Sequence, residues 1–382
     1  MMFRLSDDTL AIREMAQAFS AEKLAPHALE WDEKKHFPVD VMREAATLGM
    51  GGIYVKDDVG GSGLSRLDAA VIFESLSRGC PAVAAYISIH NMCAWMIDTY
   101  GNDTQRHKWL PSLVAMEKCA SYCLTEPGAG SDAAALSTRA VKDGDFYVLT
   151  GQKQFISGAG NADDFYVVMA RSGGEGPKGI STFVVEGGTP GLSFGANERK
   201  MGWNAQPTRA VIFDNCRIPA ANLIGKEGDG FKIAMSGLDG GRLNIAACSV
   251  GGAQAALDKA LAYTNERKAF GKKLNEFQAL QFRLADLAIE LEAARVFLYS
   301  AAASYDRGDA DKTTRIAMAK RFVTDTGFEV ANGALQLLGG YGYLSEYGME
   351  KIVRDLRVHQ ILEGTNEIMR LIVARALLAE TR

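Results

Sequence analysis

A chain of 382 residues is too long for one ordinary core, so two or three packed domains are expected, and 47% hydrophobic against 23% charged residues excludes a disordered, collagenous or low-complexity protein. The formal net charge is −4, with lysine and arginine interleaved among acidic residues, which argues against a nucleic-acid-binding surface. Six cysteines (Cys80, Cys93, Cys119, Cys123, Cys216, Cys248) show neither CxxC spacing nor the density of a disulfide scaffold, so they are assigned to structure in a reducing compartment.

From Leu5 to about Ala120 the pattern is helical. Ser6 can cap a helix whose first turn holds Asp7 and Asp8, with Ile12, Met15 and Phe19 following at helical spacing. The acidic Asp7, Asp8 and Glu14 do not fit a targeting segment. Pro81 to Ile97 is the most apolar stretch, but His90 and Asn91 interrupt it, so it reads as a buried helix and not as a membrane span. Between about Ser121 and Gly228 the texture becomes short β-rich runs, such as Phe165 to Met169 and Thr182 to Val185, divided by turns like Gly173-Gly174 and Gly187-Gly188. Helices return from about Phe231, and Phe277, Leu280, Leu284, Leu287 and Leu291 alternate three- and four-residue steps, a stripe assigned to the core of a helical bundle. The expected domains are 1–120, helical; 121–228, β; and 229–382, a helical bundle.

Three segments can carry chemistry. Tyr122-Cys123-Leu124-Thr125-Glu126-Pro127-Gly128-Ala129-Gly130-Ser131-Asp132 runs from a β-like stretch into small residues that let backbone approach a ligand. Gly128, Gly130 and Ala133 satisfy a G-x-G-x-x-A turn, but strand-like Phe146 to Leu149 follows where a dinucleotide fold needs a helix, and a plain hairpin loop stays open. In Gln152 to Gly160, Phe155 and Ser157 lie two apart, hence on one side if the segment is extended; an aromatic and a hydroxyl suit a flat ring, and an ordinary strand end fits as well. In Gln360 to Glu367, Glu363 stands between apolar residues and a glycine. Burial would raise its pKa and sharpen it as a base, or Gly364-Thr365-Asn366 could simply cap the helix that Ile368, Leu371 and Ile372 begin. The five histidines lack metal-site spacing, and no GxSxG elbow marks a hydrolase.

Taken together, the chain resembles the acyl-CoA dehydrogenases from end to end. Tyr122 to Asp132 is similar to that family's flavin and acyl-CoA segment, Arg267-Lys268-Ala269-Phe270-Gly271 through Phe277-Gln278 to its cofactor motif, and Gln336 to Tyr343 to its C-terminal signature. The resemblance implies an α+β multidomain fold: an N-terminal helical domain, a central β-barrel-like domain and a C-terminal four-helix bundle. It implies FAD lined by Tyr122 through Ser131 (Tyr122, Cys123, Leu124, Thr125, Glu126, Pro127, Gly128, Ala129, Gly130, Ser131) with Phe155, Ile156 and Ser157, and completed by Thr365, Asn366 and Glu367. Arg267, Phe277, Gln278, Gln336, Leu337, Leu338, Gly339 and Gly340 would reach a neighbouring subunit's FAD, which implies a homotetramer built as a dimer of dimers. Substrate contacts would come from Ser131, Asp239, Gly240, Gly241, Arg242 and Arg375.

Some relatives place the catalytic carboxylate near Gly241, but that position and its neighbour are glycines here, whereas Glu363 matches the commoner location. The implied reaction removes the α-proton of an acyl thioester with Glu363 while the β-carbon passes hydride to flavin N5. The Glu363 N–H and a ribityl hydroxyl would hold the carbonyl oxygen, and electrons would leave to an electron-transfer flavoprotein. Leu238 to Ile245 and Ile361 to Asn366 look most like the short branched-chain, isobutyryl-type group, with butyryl-CoA the alternative. An acyl-CoA oxidase and a non-catalytic flavin or acyl-CoA binder are the competing classes. The expected compartment is the bacterial cytoplasm, or the mitochondrial matrix for a processed chain.

Overall fold

The computed structural model describes residues 5–161 and 163–379. Six helices come first: α1 (Asp7–Phe19), α2 (Ala28–Lys34), α3 (Val39–Thr47), α4 (Arg66–Gly79), α5 (Pro81–Tyr100) and α6 (Asp103–Val114). Ser6 caps α1 as expected, its hydroxyl accepting from the Thr9 N–H at 3.1 Å. Helix α5 is buried nearly throughout, and the two residues that broke its apolar run are both satisfied inside. The His90 ring bonds the Leu113 carbonyl (2.9 Å) and accepts from the Ala120 N–H (3.1 Å), and the Asn91 amide bonds the backbone of Met50, Ile53 and Ile87. Burial holds the His90 imidazole neutral, its pKa down at about 4.

The middle segment supplies β1 (Ala120–Cys123), β2 (Arg139–Asp143), β3 (Phe146–Ser157), β4 (Phe165–Arg171), β5 (Ile180–Glu186), β6 (Leu192–Phe194), β7 (Thr208–Pro219) and β8 (Leu223–Ile224). Strand order is β6-β7-β3-β2-β4-β5-β8, with β1 parallel to β4. A single pairing, Arg139 with Arg171, joins the two halves. Tyr147, Leu149 and Phe213 from one half meet Tyr166, Val168 and Phe183 from the other in one core, the barrel-like arrangement that the resemblance implied.

Helix α7 (Gly230–Glu266) opens the last third, followed by the short hairpin β9 (Lys268–Ala269) and β10 (Lys272–Lys273), then α8 (Gln278–Arg307), α9 (Lys312–Leu337), α10 (Gly340–Tyr343), α11 (Met349–Arg357) and α12 (Asn366–Ala379). Leu287 and Leu291 are buried and Leu280 and Leu284 pack against the same core, as the stripe required, but Phe277 stands outside it, edge-on to Phe270. The opposite face of α8 holds a second stripe, Phe282, Ile289 and Val296, which stands 60%, 66% and 45% exposed. All six cysteines are reduced and buried, and among the described residues no helix is long and apolar enough to cross a membrane.

Candidate active site

A cleft of about 290 Å³ opens where the β sheet meets α5, α7 and the segment before α12. Its floor comes from β3. The β3–β7 register slips between Lys153 and Ile156, and Phe155 takes a left-handed backbone (φ +59°). This bulge corrects the plain extended reading: with the extra residue, Phe155, Ile156 and Ser157 all reach the cleft. The Phe155 ring is 64% exposed, an apolar face turned to the opening.

From the β1 side, Tyr122, Leu124, Thr125, Gly130, Ser131 and Asp132 line the same wall. Other members of that run do not line the cleft. Cys123 is buried in the sheet core. Pro127 and Gly128 form the tip of a turn closed by reciprocal bonds between Glu126 and Ala129 (3.0 and 3.1 Å), outside the cleft lining. The Glu126 side chain does not line the cleft either. Its carboxylate turns inward to Lys153 at 2.7 Å and accepts from the N–H groups of Ser137 (2.6 Å) and Thr138 (2.9 Å). Burial works against ionisation, but Lys153 and these donors hold the carboxyl down at about 2. The Glu126 carboxylate is thus committed to Lys153 as its counter-ion inside the protein.

Glu363 closes the cleft from the other side. Its backbone is left-handed (φ +55°), and so is that of Gly364 (φ +91°), a double turn that swings the carboxylate toward α7. A Cβ at Gly241 would stand 2.3 Å from Glu363 Oε2, so glycine there is what gives the carboxylate its place. At Gly240 the neighbour is Arg66, whose guanidinium would meet a Cβ at 2.5 Å. Arg242 donates to the Glu363 carbonyl (3.1 Å) and pairs with Asp239 (2.8 Å), fixing the loop to α7. Glu363 Oε2 is buried without a hydrogen-bond partner among the described residues. Burial pushes its pKa up to about 7, against the lowering pull of Arg242 and Lys320.

The remaining expected residues fall into other places. Thr365 caps α12, its hydroxyl accepting from the Ile368 N–H (3.3 Å). The Asn366 side chain is occupied by α9, bonding Lys320, Thr324 and Asp325, so only its backbone stays available to a ligand. Glu367 pairs with Arg370 at 3.2 Å in the first turn of α12. Arg267 and Gln336 through Gly340 share a separate cleft of about 660 Å³ with Tyr263 and Tyr341. Nearby, Phe277 packs edge-on to a fully open Phe270 (6.3 Å), and Gln278 is the exposed first residue of α8. Arg375 lies on an exposed stretch of α12 and lines neither cleft. Sequence reasoning missed Trp203, Met92, Leu238 and Lys320. The last had a readable signal, being a lysine one helical turn from both Ile316 and Thr324 on the buried face of α9.

The whole chain answers to one family. The N-terminal, middle and C-terminal domains of acyl-CoA dehydrogenase match residues 6–117, 121–216 and 228–378, and the chain belongs to the acyl-CoA dehydrogenase family. Within it, the chain is 58% identical over 374 residues to the mitochondrial isobutyryl-CoA dehydrogenase of Dictyostelium discoideum and 56% over 376 residues to that of Bos taurus, covering 98% of this chain and 90% of each relative. It is also similar to the structure of butyryl-CoA dehydrogenase from Megasphaera elsdenii, with a TM-score of 0.95, 39% identity and 99% and 100% of the two chains covered.

Proposed function

We propose that this protein is an FAD-dependent dehydrogenase of short branched acyl-CoA thioesters, of isobutyryl type, with Glu363 as the base. The observation that carries the reading is Glu363 Oε2: a buried carboxylate oxygen without a hydrogen-bond partner among the described residues, seated against a glycine in a cleft. A base whose pKa lies near 7 is poised both to accept a proton at neutral pH and to hold it.

The residues present fit a flavin. Phe155 offers an open ring face, Ser157 a hydroxyl and Gly130-Ser131 a slim backbone, while the open Phe270 and the Arg267 cleft suit the far end of such a cofactor bound to a second subunit. When bound, FAD supplies the hydride acceptor. The chain supplies the rest. Glu363 takes the α-proton onto its carboxylate, and Arg242 with Asp239 keeps the base from drifting. Ile89, Met92, Leu238 and Leu362 make the lining apolar, which excludes water and suits a short hydrocarbon chain. Gly241 leaves that space to Glu363.

The isobutyryl preference rests on the higher identity to the isobutyryl enzymes, since isobutyryl and butyryl groups are four-carbon isomers that differ only in where one methyl group sits. The exposed apolar stripe of α8 supports a homotetramer, a dimer of dimers, in which Phe282, Ile289 and Val296 are covered. Electrons then pass to an electron-transfer flavoprotein, the acceptor the family uses. Reduced, buried cysteines fit a reducing compartment, such as the bacterial cytoplasm or the mitochondrial matrix.

The test is an anaerobic titration of the purified yellow protein with isobutyryl-, butyryl- and octanoyl-CoA, following the flavin band. Bleaching at the lowest concentration by isobutyryl-CoA is expected. Preference for butyryl-CoA would keep the reaction and overturn the substrate, binding without bleaching would make the protein a non-catalytic binder, and rapid peroxide release in air would make it an oxidase.

A further inference from the structure

Lys320 is fully buried on α9, yet among the described residues it forms no salt bridge with a carboxylate in the way Lys153 does with Glu126. Its ammonium donates to the Gly364 carbonyl and to Asn366 Oδ1, both at 2.9 Å. One turn further along α9, Asp325 accepts from the amides of Asn366 (2.6 Å) and Gln360 (2.9 Å), and Thr324 accepts from Asn366 at 3.0 Å. One face of α9 therefore grips the chain on both sides of Glu363. The gripped segment holds two successive left-handed residues, Glu363 at +55° and Gly364 at +91°, a turn that a non-glycine residue does not keep unless its surroundings hold it. Burying an ammonium is unfavourable unless it is well bonded, and here both bonds are made to this loop.

Resting on Glu363 as the base, we propose that Lys320 is a positioning residue of the active site beside Arg242: it pins the Gly364–Asn366 side of the loop and so sets where the Glu363 carboxylate stands against Gly241 and how readily it ionises. The groups facing Lys320 are Glu363 on the loop, Arg242 on α7, Asp325 on its own helix, Glu367 on α12 and His359 in the turn before the loop. Burial lowers the ammonium's pKa to about 8, with Glu363 the leading opposing influence. His359 is held neutral by burial, so it does not compete for the proton near pH 7. The positive charge of Lys320 in turn favours the ionised form of Glu363.

The experiment compares holoenzyme with Lys320→Met, which removes donor and charge, and Lys320→Gln, which keeps a donor and removes charge. The readout is the rate of anaerobic flavin bleaching by isobutyryl- or butyryl-CoA, whichever the wild type takes, as a function of pH. Lys320→Met is expected to keep FAD and its half-saturating substrate concentration while losing about 10²-fold in rate, the effect of a base misplaced by roughly 1 Å. In both variants the acid limb moves to higher pH, because removing a nearby cation makes Glu363 harder to ionise. An unmoved limb in the folded Lys320→Gln variant overturns the proposal even if Lys320→Met does not fold. A loss of rate that tracks loss of FAD also overturns it. Turnover surviving in Glu363→Gln would instead overturn the base assignment, whereas an inactive Glu363→Gln with unmoved Lys320 variants would remove only the positioning role.

Discussion

Gly241→Ala tests the geometry of the site more directly than removal of the base does. The added methyl carbon would stand 2.3 Å from Glu363 Oε2, 2.8 Å from its Cδ and 3.0 Å from Oε1, whereas ordinary contact begins at 3.4 Å. The carboxylate must retreat by about 1 Å, and a misplacement of that size costs about 10²-fold in rate, or about 2.7 kcal/mol of barrier. Stability should move little, because the obstructing atoms are the end of a side chain and alanine is favoured over glycine inside a helix by about 1 kcal/mol. The assay is stopped-flow bleaching of the flavin under anaerobic conditions, after the visible spectrum has confirmed full FAD content and a thermal scan an unchanged melting point. A variant that bleaches at the wild-type rate would show that Glu363 does not act from the position it holds against α7.

Glu363→Gln keeps the shape but cannot accept the proton, so bleaching should fall by at least about 10²–10⁴-fold with FAD retained; wild-type turnover in this variant would refute the assignment. In the wild type the bleaching rate should rise with pH through about 7, as the carboxyl ionises, and a flat profile between pH 5 and 8 would contradict the raised pKa. The same shift has a stability sign: between the ordinary carboxyl value of 4.5 and about 7 the unfolded chain releases a proton that the folded chain keeps, so folding weakens as pH rises through that window by about 3 kcal/mol. Glu363→Gln should therefore melt above the wild type at pH 8 and level with it below pH 4.5, as calorimetry would read. Lys153→Met strands Glu126 in the sheet core and should destabilise the protein by about 3–5 kcal/mol, measurable by thermal or denaturant unfolding; an unchanged melting point would refute the reading of that pair. Ile289→Lys charges the middle of the open α8 stripe and should reduce the mass of the proposed tetramer in analytical ultracentrifugation, whereas an unaltered mass would refute the stripe's role as an interface.

Much was legible in the sequence because it depends on local periodicity. The Ser6 cap, the buried run of α5 and the Leu287–Leu291 face of α8 follow from spacing and from the cost of leaving apolar side chains in water. The family followed from motifs spread over the whole chain, and with it the expectation of Glu363. What spacing cannot specify is which way a side chain turns once neighbours arrive from elsewhere in the chain. Glu126 and Glu363 are both carboxylates in loops, the first expected against the flavin and the second expected as the base. Tertiary structure separates them: Lys153, arriving from β3, neutralises the first and holds it down at about 2, while Gly241, arriving from α7, gives the second a seat in which Oε2 is buried without a partner among the described residues and burial lifts the carboxyl to about 7. Lys320 and Asp325 follow the same logic, since their grip on the loop spans about 40 residues of chain and exists only when α9 packs beneath it. The sequence by itself determined the helices, the β segment and the family; burial and counter-charge, which are properties of contacts between distant segments, decided which carboxylate is free to act.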